Sequence, residues 1–511
     1  MNISEIYLKS LENYPDKTAI AFENNMWTFR EFDKDVKMRV DKFEKIGVKR
    51  GDRVLLFLEN RLEMASIYMA LFRIGAIAVP VVEFCKSDDV VYNCNHCLVS
   101  AIITSHNLNS VINQAAPDIP GLEFIYVIDE TDPERSLVRL KPAIVDDRGK
   151  ARQSFEMSDP AVIMYTSGST GRPKGVTHTH YSLYHSTLNR CETLKHTAAD
   201  IYFLPVPIAR GAGLTNALLP MLFAGGTSVF LKKYSGEKFL KAINDFKPTH
   251  TAAMPSQLWE IIENPLIAQT NFKNIKYFFS GADFVPAHLE KLFYEKTAIE
   301  LKVGFGMTEC GGCIISPPFE KHRPGTLGKP VCGAKAKIIS DDGSQLAPGE
   351  TGELVIKTKA LMRGYWNDEQ NTAAVIKDGW IYTGDLARRD DDGFYYFMGR
   401  KKFLIIRKGM NISPGEVEEV LNQHPMVSFS GVVGLPDGNY GEKVHAFIVL
   451  KEKNHIPDTG DITEFAMKKL AAHKVPAGYT FVDSVPITEG DKVDRQKLRK
   501  IAKDLLAGGE K

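Results

Sequence analysis

Eleven residues, Thr166-Ser-Gly-Ser-Thr-Gly-Arg-Pro-Lys-Gly-Val176, alternate glycine with hydroxyl side chains before reaching Lys174. Backbone N–H, hydroxyl and ammonium groups at that spacing form a flexible cradle suited to a polyphosphate. The glycines and the lysine do not fall as G-x-x-x-x-G-K-[ST], so this is not a Walker loop, and by composition alone it also reads as a Gly/Ser connection between core elements. Further on, Gly304-Phe-Gly-Met-Thr-Glu309 follows a strand-like stretch. Its glycines let a flat ligand approach the backbone, Phe305 can stack on a base, and Thr308 with Glu309 can hold phosphate and Mg²⁺. Tyr382-Thr-Gly-Asp385 presents a carboxylate just past a turn. One carboxylate accepting from both ribose hydroxyls is an efficient way to fix a nucleoside. Gly399-Arg-Lys-Lys-Phe403, Lys408-Gly-Met-Asn-Ile-Ser-Pro-Gly-Glu-Val-Glu418 and Pro486-Ile-Thr-Glu-Gly-Asp-Lys-Val-Asp-Arg495 are lysine-bearing stretches that composition by itself assigns to solvated surface.

The elements that must position these groups alternate in type. Arg53-Val-Leu-Leu-Phe-Leu58 is a buried-strand run, 61–74 reads as the next helix, and Ala76-Ile-Ala-Val-Pro-Val-Val82, Ala101-Ile-Ile-Thr104 and Phe124-Ile-Tyr-Val-Ile128 are further strands. Ala161-Val-Ile-Met-Tyr165 leads into the phosphate-type loop, and the same texture returns at Ser228-Val-Phe-Leu231 and Tyr277-Phe-Phe-Ser280. This punctuation predicts parallel-rich sheets covered by helices. After about residue 335 short strands and turns, such as Gly352-Glu-Leu-Val-Ile356, Asp390-Asp-Asp-Gly393 and Phe394-Tyr-Tyr-Phe397, predict a barrel-like β subdomain. From about Phe403 a small α+β unit begins. The expected fold is α/β, with a large N-terminal domain over 1–401 and a small C-terminal domain over 402–511, joined tightly at 399–402.

A chain of 511 residues is long enough for one large core and an appendage, and 44% hydrophobic with 25% charged residues fits a soluble globular protein. Lys plus Arg number 64 against 63 Asp plus Glu, which gives no electrostatic case for nucleic acid or an anionic membrane. The N-terminus lacks a basic region followed by an apolar run, and the most apolar stretch, 69–82, is interrupted by Arg73, Gly75 and Pro80. Seven scattered cysteines suit a reducing compartment, so a cytoplasmic location is expected. Two pairs, Cys94/Cys97 and Cys310/Cys313, have C-x-x-C spacing that a zinc site could use, but without a histidine cluster nearby they read as core residues.

Together the motifs resemble those of the adenylate-forming superfamily, which comprises acyl-CoA synthetases, free-standing adenylation domains and luciferases. The resemblance runs from Trp27-Thr-Phe-Arg-Glu-Phe32 to Arg495 and is closest in texture to aryl- or medium-chain acyl-CoA ligases. It implies ATP-dependent activation of a carboxylic acid to acyl-AMP with pyrophosphate release, followed by transfer to the thiol of CoA. It also implies roles. Thr166, Ser167, Gly168, Ser169, Thr170, Gly171 and Lys174 would hold the pyrophosphate portion of ATP. Gly281, Ala282 and Asp283 would form the adenine-side loop with Phe305. Thr308 would contact the α-phosphate, Glu309 would ligate Mg²⁺, and Asp385 and Arg400 would bind ribose. Lys492 would be the catalytic lysine, acting with Thr308, Glu309 and Lys174. Lys402 falls at the hinge, and Lys408, Gly409 and Met410 line the CoA tunnel. The sequence departs from the family pattern at three places: Phe305 stands where Tyr is commoner, Phe403 where an acidic residue is common, and Asp491 between Gly490 and Lys492.

The resemblance places the acyl pocket along Leu204-Pro-Val-Pro-Ile-Ala-Arg-Gly-Ala-Gly-Leu-Thr-Asn216. Ile208 stands where relatives carry a His or aromatic gate, and no Asp is present near it for the ammonium of an α-amino acid. With Gly213, Ser280, Gly304, Gly306 and Met307, Ile208 is expected to line a pocket roomy enough for an aryl or medium-length apolar acid. Arg210 reads either as surface or as a partner for a polar substrate tail. The chain stops soon after Arg495, so the expected acceptor is diffusible CoA, with a separate acyl carrier protein as the alternative. Oxygenation of luciferase type and non-catalytic adenylate binding are the remaining readings, and the joint presence of Lys174, Glu309, Asp385 and Lys492 argues against the latter.

Overall fold

The computed structural model describes all residues except 1, 24, 130–135, 142–154, 167–171, 283–284, 286, 320–322, 452–457, 487–492 and 509–511. Ser167, Gly168, Ser169, Thr170, Gly171, Asp283, Asp491 and Lys492 therefore lie outside the described residues.

Two large sheets dominate. In the first, Ile77–Val81 and Arg53–Phe57 sit centrally, followed by Ala101–Thr104, Phe124–Val127 and Leu137–Arg139 on one side. On the other side come Pro160–Thr166, Lys174–Thr179 and the short edge strand Gly364–Tyr365. The inner pairings are parallel and the outer ones antiparallel. Strands buried on both faces read as unbroken apolar runs, which is why the sequence marks them. Pro80 sits inside one of these strands without disrupting it. Its strand pairs at five positions with Arg53–Phe57, but with Pro160–Thr166 only at Ala78↔Val162, so the missing N–H falls where pairing is already sparse.

The second sheet runs Leu301–Val303, Tyr277–Ser280, His250–Ala252, Ile201–Phe203, Thr227–Phe230, Thr18–Phe22 and Asn25–Thr28, parallel except for the last pair. Helices cover the sheets. Phe29–Ile46 starts at a Thr28/Glu31 capping box and stops at Gly47, whose φ of 106° ends the helix in the left-handed region. Leu62–Ile74 packs against it and is almost wholly buried. The expected barrel-like unit is a five-stranded antiparallel sheet of Ala334–Ile339, Thr351–Thr358, Trp380–Arg389, Ile376–Lys377 and Tyr395–Arg400.

The last part holds the hairpin Ile405–Arg407/Met410–Ile412, a three-stranded sheet of Val427–Pro436, Glu442–Leu450 and Gly478–Phe481, and the helices Pro414–Leu421, Thr459–Met467 and Arg495–Gly508. It has its own apolar clusters, around Val432, Val444 and Ile448 and around Val433, Phe447 and Leu498. No helix among the described residues is long and apolar enough to cross a membrane. None of the seven cysteines, all among the described residues, forms a disulfide; Cys94 and Cys97 are buried, and the Cys97 thiol donates to the Asn93 carbonyl at 3.0 Å.

Candidate active site

Thr166 and Lys174 lie opposite each other in an antiparallel pair, so the phosphate-type loop is the connection of a hairpin at one side of the first sheet. The Tyr92 hydroxyl donates to the Pro173 carbonyl at 2.8 Å and fixes the loop's exit. Lys174 Nζ donates to Asn371 Oδ1 at 3.1 Å and lies 4.8 Å from the centre of the Tyr365 ring. Asn371 is itself held by Asp368, which accepts from its side-chain amide at 2.8 Å and caps the helix Glu369–Val375. The Tyr365 hydroxyl donates to Glu309 Oε1 at 2.9 Å. Burial, reinforced by Glu309, pushes the Tyr365 phenol up, so it stays protonated and keeps donating. Two groups separated widely in sequence, Lys174 and Glu309, are thus joined through one tyrosine.

Tyr365 reaches this place because its two-residue strand pairs with the edge of the loop hairpin, Gly364↔Thr177 and Tyr365↔Val176, and the Trp366 amide donates to the Gly175 carbonyl at 2.7 Å. The backbone beside Glu309 is fixed twice. The Met362 amide donates to the Glu309 carbonyl at 2.7 Å, and His178 Nε2 lies 2.7 Å from the Thr308 carbonyl. Burial pushes His178 down to about 4, with the Thr308 bond opposing the shift, so the ring is neutral. Nε2 therefore carries the proton donated to Thr308, and Nδ1, 3.0 Å from Ser182 Oγ, is the acceptor. Gly211 backs Thr308: a Cβ there would lie 3.8 Å from Thr308 Cγ2.

Asp385 and Arg400 face each other across two antiparallel strands, with Arg400 Nε 2.9 Å from Asp385 Oδ1. Asp385 is buried and Arg400 half-exposed, leaving the pair open on one side. Phe305, partly buried, begins a short strand paired with Gly312–Ser316, with an irregularity between Phe305 and Gly306. Thr166, Lys174, Thr308, Glu309, Phe305, Asp385 and Arg400 are placed as single groups or pairs by these contacts. Tyr365, Asn371, Asp368 and His178 are members of the same network that sequence reasoning missed. The available signal was weak: Gly364-Tyr-Trp366 carries a hydroxyl, but no spacing that announces chemistry.

The acyl-pocket expectations need correction. Ile208 has no exposed surface; its amide donates to Asn60 Oδ1 at 2.9 Å within the core. Ser280 is equally buried and donates to the Ala253 carbonyl at 2.8 Å. Neither presents a wall to a pocket. Gly304 and Gly306 do not create room either. A Cβ on Gly304 would lie 2.6 Å from the Phe279 ring and 2.7 Å from the Ile315 carbonyl, and one on Gly306 would lie 2.7 Å from the Gly312 carbonyl. Gly281 and Gly213 are likewise pressed on the backbone of Gly304 and Pro207. These glycines permit close backbone packing; the space beside them is filled. Met307 is partly buried and packs on the core cluster of the second sheet. Ala282 holds a positive φ of 69° beside the adenine-side segment.

Lys408 and Gly409 form a two-residue hairpin turn, with φ of 51° and 78°, and Met410 next to them is exposed. Lys408 Nζ stands 4.4 Å from the Tyr440 ring. At the expected hinge, Lys402 lies in a single 3₁₀ turn, Lys401–Phe403. The Phe403 ring is contacted by Lys402 Nζ at 4.5 Å and by the Arg495 guanidinium at 5.7 Å. Arg495 also pairs with Glu418 at 2.6 Å. A cation–π contact thus links the turn to the segment just after Lys492.

The chain belongs to the AMP-binding enzyme family: that family's model matches residues 8–366, and the model of the AMP-binding enzyme C-terminal domain matches 416–492. Its class is that of the AMP-forming acid–thiol ligases. It is 30% identical to a long-chain-fatty-acid–CoA ligase of Bacillus subtilis (strain 168), over 97% of this chain and 94% of the relative. It is 29% identical to a 2-succinylbenzoate–CoA ligase of Bacillus cereus, over 96% and 97%. Among solved structures it is similar to an anthranilate CoA ligase in complex with anthranoyl-AMP, with a TM-score of 0.89, 27% identity, and 99% and 98% of the two chains covered.

Proposed function

We propose that this enzyme uses ATP to convert an aryl or medium-chain carboxylic acid to its acyl-AMP, releasing pyrophosphate, and then transfers the acyl group to the thiol of CoA. The observation that carries the reading is the Lys174–Tyr365–Glu309 network. It gathers an ammonium and a carboxylate around the mouth of a Gly/Ser loop, as a triphosphate requires. A carboxylate is a poor electrophile because its leaving group would be oxide. Attack of its oxygen on the α-phosphorus breaks the bond to the β-phosphate oxygen and makes a mixed anhydride with AMP. A thiolate then attacks the acyl carbon and releases AMP.

Charge develops at phosphorus and on the leaving pyrophosphate, so the protein's work is electrostatic. Lys492 and Thr308 serve the α-phosphate, while Lys174 and residues 166–171 serve pyrophosphate. Asp385 and Arg400 hold ribose, with Phe305 against the base and 281–283 beside it. Glu309 suits Mg²⁺: Tyr365 uses Oε1, and no hydrogen bond to Oε2 exists among the described residues, leaving a hard oxygen donor. When bound, Mg²⁺ would neutralise the polyphosphate. We assign the N-terminal domain to 1–401 and a mobile C-terminal domain to 402–511, turning at Lys402 so that Lys408, Gly409 and Met410 serve the CoA step. Seven cysteines outside any disulfide favour a reducing, cytoplasmic setting.

The relatives named above, a long-chain-fatty-acid–CoA ligase, a 2-succinylbenzoate–CoA ligase and an anthranilate CoA ligase, support an aromatic or apolar substrate body. The test is pyrophosphate release across a panel of acids, with and without CoA. A benzoate, cinnamate or six-to-ten-carbon acid is expected to exceed acetate in kcat/KM, since apolar surface contributes about 25 cal/mol per Å² buried. Acetate or propionate as the best substrate refutes the aryl or medium-chain assignment. Product formed only with a phosphopantetheinyl protein would replace CoA by a carrier.

A hinge predicts a split phenotype. Lys402→Pro fixes φ near −65°. Pyrophosphate release is expected to survive and thioester formation to fail; normal thioester turnover would place the hinge elsewhere.

A further inference from the structure

The antiparallel pairing of Pro160–Thr166 with Lys174–Thr179 ends at Thr166↔Lys174, and Pro173, lacking an N–H, cannot extend it. The residues flanking that last pair, Tyr165 and Pro173, are both held by one helix outside the sheet, Ser87–Cys97. Tyr92 and His96 lie four residues apart on it and so share one face.

On the Lys174 side, the Tyr92 hydroxyl donates to the Pro173 carbonyl at 2.8 Å, and the Arg172 guanidinium stands 5.7 Å from the centre of the Tyr92 ring. On the Thr166 side, His96 Nδ1 lies 2.8 Å from the Tyr165 hydroxyl oxygen, and that hydroxyl donates to the Asn93 carbonyl at 3.2 Å. A carbonyl only accepts, so the phenol's single proton goes to Asn93 and Nδ1 carries the proton given to the phenol. Burial, opposed by Asp368, lowers the pKa of His96, which keeps the ring neutral at pH 7. Burial pushes the Tyr165 phenol far up, so it stays protonated.

The three rings close on one another. Tyr92 and His96 stack at 5.6 Å, and Tyr165 meets His96 edge-on at 5.7 Å and Tyr92 at 6.3 Å. The helix that carries two of them is seated firmly: Cys94 and Cys97 are wholly buried in the apolar cluster that also holds Leu55 and Ile163. Asp368, close enough to act on His96, is the carboxylate that orders Asn371 beside Lys174. The Tyr92 hydroxyl and His96 Nδ1 are spent on Pro173 and Tyr165, so these side chains hold the residues next to Lys174 and Thr166 and leave the phosphates to that pair.

Resting on the acid-activation reading above, we propose that Tyr92 and His96 are positioning residues of adenylate formation. Together they clamp the Tyr165–Thr166 and Pro173–Lys174 ends, so that Thr166 and Lys174 meet the β- and γ-phosphates of ATP already in place. Ordering carried out in the free enzyme is not charged to binding. The clamp serves only the half-reaction that contains those phosphates, because acyl-AMP lacks them.

Two variants test it. Tyr92→Phe keeps the ring beside Arg172 and His96 and deletes the hydroxyl, while His96→Phe keeps the stack on Tyr92 and deletes Nδ1. Each is expected to raise the KM for ATP in pyrophosphate release about tenfold, leaving the KM for the acid and thioester formation from supplied acyl-AMP unchanged. His96→Asn returns an amide N–H near the place of Nδ1 and is expected to recover most of the ATP affinity. An unchanged ATP KM in either Phe variant overturns the proposal, as does His96→Asn performing no better than His96→Phe. So does a lowered melting temperature with both half-reactions reduced in step, which would make the helix structural. Calorimetric titration with MgATP in the absence of acid separates the clamp from acid activation. ATP binding weakened in both Phe variants, with no pyrophosphate released from any acid by the unmodified enzyme, supports the clamp and sinks acid activation. Unaltered ATP binding in variants of an enzyme that does release pyrophosphate does the reverse.

Discussion

Lys492→Ala is expected to slow adenylate formation by ~100-fold or more, while thioester formation from a supplied acyl-AMP continues at close to the original rate. The expectation follows from the position of Lys492 in Pro486-Ile-Thr-Glu-Gly-Asp-Lys-Val-Asp-Arg495. An ammonium that meets charge developing on the α-phosphate contributes mainly in the transition state, and removing such a group costs roughly 3 kcal/mol or more. The second half-reaction leaves phosphorus untouched and makes no such demand. Pyrophosphate release, set against CoA consumption from synthetic acyl-AMP, measures the two separately. Equal losses in both would remove Lys492 from the first step. Arg495 sets a useful contrast, because it is tied to Glu418 at 2.6 Å and packs on Phe403. Replacing it perturbs the segment without removing the ammonium, so a milder loss shared by both steps is expected.

Glu309→Gln comes next in size. The glutamine keeps an oxygen for the Tyr365 hydroxyl, which now donates to Glu309 Oε1 at 2.9 Å, so the local packing survives. The negative charge that Mg²⁺ would need is gone. Adenylate formation is expected to fall by about 100-fold, with a raised Mg²⁺ requirement, since electrostatic groups of this kind are worth roughly 3 kcal/mol. A Mg²⁺ titration of pyrophosphate release is the measurement. An unchanged Mg²⁺ midpoint would assign Glu309 to structure alone. Tyr365→Phe serves as the companion variant: it keeps the ring under Lys174 and deletes only the hydroxyl.

Much of the scaffold was legible because its strands are buried on both faces. Arg53-Val-Leu-Leu-Phe-Leu58 and Ala101-Ile-Ile-Thr104 needed no partner to be recognised, and the observed strands Arg53–Phe57 and Ala101–Thr104 match them within a residue. Lys174, Thr308, Glu309, Asp385 and Arg400 stood out because charged and hydroxyl groups beside glycines are unusual. Tyr365, Asn371 and His178 did not, because their importance comes from partners far away in the chain: Glu309, Lys174 and Thr308. The glycines show the same limit from the other side. Absence of a side chain at Gly304 looks identical in sequence whether it opens a cavity or admits the Phe279 ring, and here it admits the ring.

The pairing of Gly364–Tyr365 with Lys174–Thr179 also bears on how the polypeptide is made. Synthesis proceeds from the N-terminus, so Lys174–Thr179 leaves the ribosome long before the segment that covers its edge. At about 5–20 residues per second, the intervening stretch of about 190 residues takes roughly 10–40 s to appear. Throughout that interval the first sheet carries an unpaired edge, the kind of surface that recruits strands from other nascent molecules. The two residues that close it also deliver the tyrosine joining Lys174 to Glu309. Protection of the growing chain from aggregation and the joining of Lys174 to Glu309 therefore arrive in the same event.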